Sequence, residues 1–277
     1  MDGKGDIQSA GWRIESPLSP RRINCPFRKA GVNKMKKRGI GRQSEPEVMD
    51  DQAEAEVYAR ADFNEVNQVF AERLAELAAG MEEAVALDLG TGPGDIPLRI
   101  LRLRPRWRIA ALDASAAMLA LGQKAAWAAG AASLSFIRAD AKNAPFCRRT
   151  FDVIFSNSIL HHVADVKPFW AELARVAKSG ALVLLRDLAR PASREEARLI
   201  VETYSGNEPE LLKEEFYRSL LAAYTPAEVK AQLVRAGIRG LKVEMIDDRH
   251  LDVWGRVKRR KAPDSPQSSQ RAQRKSG

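Results

Sequence analysis

Within a chain of 277 residues, the segment Leu87-Asp88-Leu89-Gly90-Thr91-Gly92-Pro93-Gly94-Asp95 joins three glycines to two carboxylates. Glycines at this spacing let a backbone turn tightly and approach a ligand that a side chain would hold off. Such a turn, beyond the carboxyl end of a first strand, is where an open parallel sheet binds its ligands. It is equally the shape of a strand-to-helix turn that binds nothing. The carboxylates narrow the choice: a dinucleotide loop starting at Gly90 needs a small residue at position 95, and Asp95 there would repel a pyrophosphate. Asp88 suits a cationic, amino-acid-like group. Further along, Asp113 follows the apolar pair Ala111-Leu112, His161 adjoins His162, and Arg186 adjoins Asp187. His161, His162 and Asp187 are the candidate proton acceptors. Arg186 is suited to a substrate carboxylate, or else pairs with Asp187. No metal is expected, because adjacent residues on a helix face different directions and Cys25 and Cys147 have no metal-ligand spacing.

Positioning these groups requires alternating strands and helices. Apolar runs at 84–89, 108–113, 134–138, 151–156 and 181–187 read as strands, with helical segments at 96–101, 115–129 and 166–177 between them. That alternation predicts a parallel sheet covered on both faces. Upstream, 47–80 reads as two helical segments, the second carrying Val66, Phe70, Leu74 and Leu77 on one face. After Pro191 a charged helical insertion, 191–224, interrupts the pattern. Thr225-Pro226 then starts a fresh helix, and 241–246 and 250–255 are joined by a link too short for a parallel crossover, so they pair antiparallel. The expected fold is α/β: a Rossmann-like mixed seven-stranded sheet, mostly parallel with an antiparallel C-terminal strand, and helices on both faces.

S-adenosylmethionine carries both an ammonium and a sulfonium, which matches the preference of Asp88. From here the sequence resembles the class I S-adenosylmethionine-dependent methyltransferases, closely over 84–188 and in outline over 225–256. Asp88-x-Gly90-x-Gly92-x-Gly94 is similar to the family's first motif, and Ala111-Leu112-Asp113-Ala114-Ser115 to its second. The resemblance implies that Asp113 accepts hydrogen bonds from the ribose; an acid at a strand end otherwise caps a helix. It implies that Met118 packs on the adenine, unless it is a core residue. Phe136-Ile137-Arg138-Ala139-Asp140-Ala141 resembles the third motif, in which Asp140 and the next amide, Ala141, read the adenine edge. In the fourth, Asn157 lies near the methionine end of the cofactor and the substrate entrance. The implied cofactor-binding set is thus Asp88, Gly90, Thr91, Gly92, Gly94, Asp113, Ala114, Met118, Asp140, Ala141 and Asn157. Ser156-Asn157-Ser158-Ile159 lacks the Asn/Asp-Pro-Pro-aromatic turn typical of methylases of exocyclic base nitrogens. The paired His161 and His162 recur in small-molecule members, where one supports the cofactor loop. Arg186 and Tyr204 are expected on the substrate side, although Tyr204 at helical spacing also reads as core.

Composition limits the partners. The net charge of +9 suggests nucleic acid until it is divided: residues 1–44 hold 11 Lys/Arg against 3 Asp/Glu, and 256–277 hold 8 against 1, leaving 45–255 at −6. The domain is expected at 45–255, as a core 84–188, a helical lid 191–224 and a C-terminal helix and hairpin 225–255. The ends, 1–44 and 256–277, read as basic, disordered tails. Met35 is a candidate translation start. No stretch is long and apolar enough to span a bilayer, and few cysteines fit a reducing compartment, so a cytoplasmic location is expected. The expected acceptor is a small molecule. Alternatives are an RNA or protein methyltransferase that grips its partner with the basic tails, and a cofactor-binding module without catalysis.

Overall fold

The structure, a computed structural model, describes residues 39–45 and 63–258. Most of both tails, Cys25, Met35 and the first of the two upstream helical segments lie outside the described residues.

Five parallel strands form the centre of the sheet: β1 (Val85–Leu89), β2 (Arg108–Asp113), β3 (Leu134–Arg138), β4 (Phe151–Asn157) and β5 (Ala177–Leu188). They are completed by β6 (Arg239–Met245) and β7 (His250–Lys258), giving the order β3-β2-β1-β4-β5-β7-β6 with β7 antiparallel to both neighbours. This is the expected mixed seven-stranded architecture. β5 begins earlier than its apolar run because Ala177 pairs with Phe151 across an irregularity in register. β7 runs on to Lys258, so the body ends later than the charge pattern suggested.

Alternation along the strands sends successive side chains to opposite faces. Leu87, Leu89, Ile154, Val183 and Leu185 meet Phe169, Trp170 and Leu173 of α4 (Val166–Val176) and Val229 and Leu233 of α7 (Pro226–Arg235). On the other face, Ala86, Val153, Phe155 and Leu184 cluster with Phe70 and Leu74 of α1 (Asn64–Leu77) and with Leu98 and Ile100 of α2 (Asp95–Leu103). The buried stripe of α1 is Phe70, Ala71 and Leu74; Val66 is exposed, a departure from the expected face. Between β2 and β3 runs α3 (Ala116–Ala128), capped by the Ser115 hydroxyl, which accepts from the Met118 amide. A capping box at Thr225 and Glu228 opens α7 where the sequence placed a start.

The insertion forms α5 (Arg194–Ser205) and α6 (Glu210–Ala222), which bury Ala197, Ile200, Val201, Leu220 and Leu221 with Leu188 in a small core of their own; Ile40 packs against it. Residues 39–45 belong to the body. The Arg42 guanidinium donates to the carbonyls of Ala222 (2.6 Å) and His161 (2.7 Å) and lies 4.2 Å from the Tyr224 ring centre, and the Gln43 amide donates to Leu221 O (3.0 Å). The expected tail boundary at residue 44 is therefore corrected: hydrogen bonds draw the last of it onto the domain. Among the described residues, no helix is long and apolar enough to cross a membrane.

Candidate active site

The strand order reverses beside β1, where β2 lies on one side and β4 on the other, and a crevice opens at the carboxyl ends of the strands. The glycine-rich turn forms its floor. The amides of Gly90 and Thr91 donate to Leu112 O (2.8 and 2.9 Å), which ties the turn to the end of β2. Gly90 has φ +71, and a Cβ there would fall 2.7 Å from Ile159 Cδ1; Gly94, with φ +78, caps α2 against the Phe136 ring. At Gly92 nothing stands within 4 Å of where a Cβ would be. That empty space belongs to the cavity, which is lined on one side by Gly90, Gly92, Asp113, Ala114 and Met118, and beyond them by Asp140, Ala141 and Lys142. Asn157, Ser158, Ile159 and His162 line the other side.

Each polar group is fixed by its strand end. Asp113 accepts from the Gly92 amide (2.8 Å) through one oxygen and from the Ser115 amide (2.9 Å) through the other, so it braces the turn and the start of α3 together. Asp140 accepts from the Lys142 amide (2.8 Å), with the Lys142 ammonium 3.3 Å away. Ser156 donates to Leu89 O (2.5 Å), binding β4 to the root of the glycine turn. Ser158 takes the left-handed conformation, φ 62, and its amide donates to Arg186 O (2.8 Å). A serine in that region is strained, and strain of this kind gathers at functional sites.

Several candidates lie elsewhere. Asp88, Thr91 and Gly94 do not line the cavity. Asp88 is buried, and desolvation, reinforced by the Asp113 charge against a partly offsetting Thr91 hydroxyl, pushes its carboxyl up to about 7. Arg186 does not face the substrate side: its guanidinium closes in a two-point pair on Asp252 (2.8 and 2.9 Å). Tyr204 is neither core nor cavity wall; its hydroxyl donates to Asp248 (2.8 Å) and Arg249 stacks on its ring at 3.3 Å. No residue of 191–224 lines the cavity, although α6 abuts the short 3₁₀ turn Leu160–His162.

That turn separates the proton-acceptor candidates. Asp187 accepts from the amides of Leu160 (2.5 Å) and Leu188 (2.7 Å) and binds His161 Nδ1 at 2.6 Å. Asp187 and His161 are both buried, so His162 alone of the three reaches the cavity. Adjacent histidines diverge on a regular helix, but in this short turn their ring centres lie 4.1 Å apart, tilted by 37°. Both reach Glu45 Oε1, His161 Nε2 at 3.5 Å and His162 Nδ1 at 3.1 Å. Burial lowers the basicity of His161, but the charge and hydrogen bond of Asp187 and the charge of Glu45 outweigh it and leave its pKa raised. Desolvation also raises Glu45. The stretch containing Arg42 and Glu45 has no helical or strand period and an excess of cations, so the sequence held no signal for either residue. Lys142 and Ser158 were within reach of sequence reasoning, being neighbours of Asp140 and Asn157.

A parallel sheet with this order, an antiparallel seventh strand and a glycine turn braced by an acid on β2 define the Rossmann-like methyltransferase class. Residues 87–185 match the family described as "Methyltransferase domain". Among curated proteins, the demethylmenaquinone methyltransferase of Roseiflexus sp. (strain RS-1) is 32% identical over 115 residues, 42% of this chain and 47% of that one. The malonyl-[acyl-carrier protein] O-methyltransferase of Marinomonas sp. (strain MWYL1) is 33% identical over 142 residues, 50% of each chain. The chain thus spans about half the length of the curated relatives it matches. An S-adenosyl-L-methionine-dependent methyltransferase structure from Methanococcus maripaludis shares the fold at 20% identity and a TM-score of 0.62, over 80% of this chain and all of that one. The plantazolicin methyltransferase BpumL, solved with S-adenosylhomocysteine, does so at 15% identity and 0.59, over 74% of this chain and 90% of its own. Residues 87–185 thus match a methyltransferase domain, within a body that has the fold of S-adenosylmethionine-dependent methyltransferases.

Proposed function

We propose that the protein transfers the methyl group of S-adenosylmethionine to a small-molecule acceptor by in-line displacement. The observation that carries this reading is one cavity with two dissimilar walls: glycine backbone with the acids Asp113 and Asp140 opposite Asn157, Ser158, Ile159 and His162. The cofactor, when bound, supplies a methyl group already activated on sulfur, so the protein's share is to align the nucleophile and exclude water. Asp113 is the ribose acceptor in this reading, since two backbone amides already fix its carboxylate. Gly92 leaves the space that the cofactor needs, Met118 packs against the adenine, and Asp140 with the Ala141 amide reads its edge. Asn157 serves the amino-acid end, and the acceptor enters beside Ser158 and His162. His162 is the side chain placed to meet an acceptor's proton, and Asp187 and His161 hold the turn that presents it. Relatives named for demethylmenaquinone and for a malonyl group on a carrier protein support a small acceptor moiety.

Calorimetry with S-adenosylmethionine and its demethylated product tests the reading. Binding of both is expected, with Asp113→Ala weakening each at least tenfold, since a charge-assisted hydrogen bond contributes about 1.5–3 kcal/mol. If neither ligand binds, methyl transfer is excluded.

A further inference from the structure

We infer that Glu45, His161 and His162 form a binding site for a divalent transition-metal ion of the Zn²⁺ class, at the acceptor end of the cavity. Ion binding itself needs no acceptor, while the site's place at the acceptor end rests on the reading proposed above. Asp187 is saturated with donors: the amides of Leu160 and Leu188 and the Nδ1–H of His161 all reach it. That hydrogen bond fixes the tautomer, so in the neutral ring the lone pair of Nε2 points outward. Glu45 Oε1 lies 3.5 Å from that nitrogen, and His162 Nδ1 stands 3.1 Å from the same oxygen. An imidazole nitrogen lone pair and a carboxylate held this close in a buried place repel unless a cation lies with them.

Spacing and charge both suit a metal. Ligand atoms at about 2.0–2.2 Å around a tetrahedral ion lie roughly 3.3 Å from one another, and the three donor atoms all lie within 4.8 Å of one another. Two neutral imidazoles with one carboxylate is an N₂O set, which favours Zn²⁺, Co²⁺ or Ni²⁺ over Mg²⁺ or Ca²⁺. An acid holding the far nitrogen of a ligating histidine is the usual outer partner of such ions. Glu45 and Asp187 together outweigh Arg42, whose guanidinium bonds the carbonyls of His161 and Val163, so the cluster carries an excess negative charge. Three protein ligands leave a coordination position open, the arrangement of reactive rather than structural sites. Since His162 also lines the cavity, an oxygen of the acceptor can take that position.

The test uses full-length, untagged protein stripped with chelator and titrated with Zn²⁺ by calorimetry, with Mg²⁺ as the comparison and Co²⁺ absorption as the geometric readout. One Zn²⁺ per chain is expected at micromolar or tighter affinity, with no heat from Mg²⁺ and tetrahedral Co²⁺ bands. Glu45→Gln and His162→Ala should each weaken Zn²⁺ at least tenfold, whereas His250→Ala, at the pair with Asp247, should not. Melting curves without metal establish that each variant is folded. Absence of Zn²⁺ binding in the wild type overturns the inference, as does binding that both variants retain. A His161 imidazolium persisting in the NMR spectrum after Zn²⁺ is added overturns it too, since a proton would then be the cation. Titrating S-adenosylmethionine into the same preparation separates the two readings, because either ligand can bind while the other fails.

Discussion

Asp88 is 2% exposed at the end of β1, and burial raises its carboxyl from 3.8 to about 7. A carboxyl that holds its proton more tightly when folded stabilises the protein at low pH and loses that contribution as the pH rises through its folded value. At 1.36 kcal/mol per unit the cost above pH 7 is at most about 4 kcal/mol. Asp88→Asn should therefore gain on the wild type in urea unfolding as the pH rises from about 4 towards 8, with the larger excess at pH 8, without cofactor. If this variant is instead less stable than the wild type at pH 8, the buried carboxylate is not costly. Asp88 stood out in sequence because it precedes three glycines, but its burial outside the cavity lining did not, since depth depends on how β2 and β4 flank it. Asp113 and Asp140 were legible because each follows an apolar strand. Arg186 misled for the same reason: its partner, Asp252, arrives from β7, 66 residues later.

Most elements were legible where burial imposes a period, as in the five parallel strands and the helix opened by Thr225-Pro226. The segment 39–45 was not, because it joins the body through polar contacts made to backbone carbonyls, which leave no pattern in side-chain type. Nor was the placement of 191–224: helical spacing shows that α5 and α6 bury a face, and only the fold shows that they bury it against Leu188 and each other. The polar segment carries its own prediction. Arg42→Ala removes hydrogen bonds to Ala222, His161 and Val163 together with the contact on Tyr224. A loss of about 1–3 kcal/mol is expected, which lowers the melting temperature by several degrees in a chain of this size. Arg218→Ala, at an exposed helical pair with Glu214, should leave melting within error. Amide exchange should quicken at 160–163 in the first variant only. Equal melting of the two would mean that 39–45 rests on the domain without holding it.

The sign of the charge changes along the molecule: the net +9 belongs to the ends, and 45–255 is acidic. An acidic body does not attract a polyanion into its cavity, whereas Lys/Arg-rich ends attract one without sequence preference and with steep salt dependence. Because Arg42 and Glu45 are part of the body, the informative truncation is 39–258, which removes the basic ends and spares the segment beside His161 and His162. For a small acceptor, this truncation should keep S-adenosylmethionine affinity within about twofold, since the residues assigned to the cofactor all lie inside it, while losing whatever RNA binding the full chain shows at low salt. Methyl transfer from labelled cofactor into a small-molecule extract should likewise survive. If transfer instead appears only with RNA or protein substrates and disappears with the ends, the acceptor is a macromolecule held from outside the body, and the cavity then has to admit only the single residue or base that is methylated.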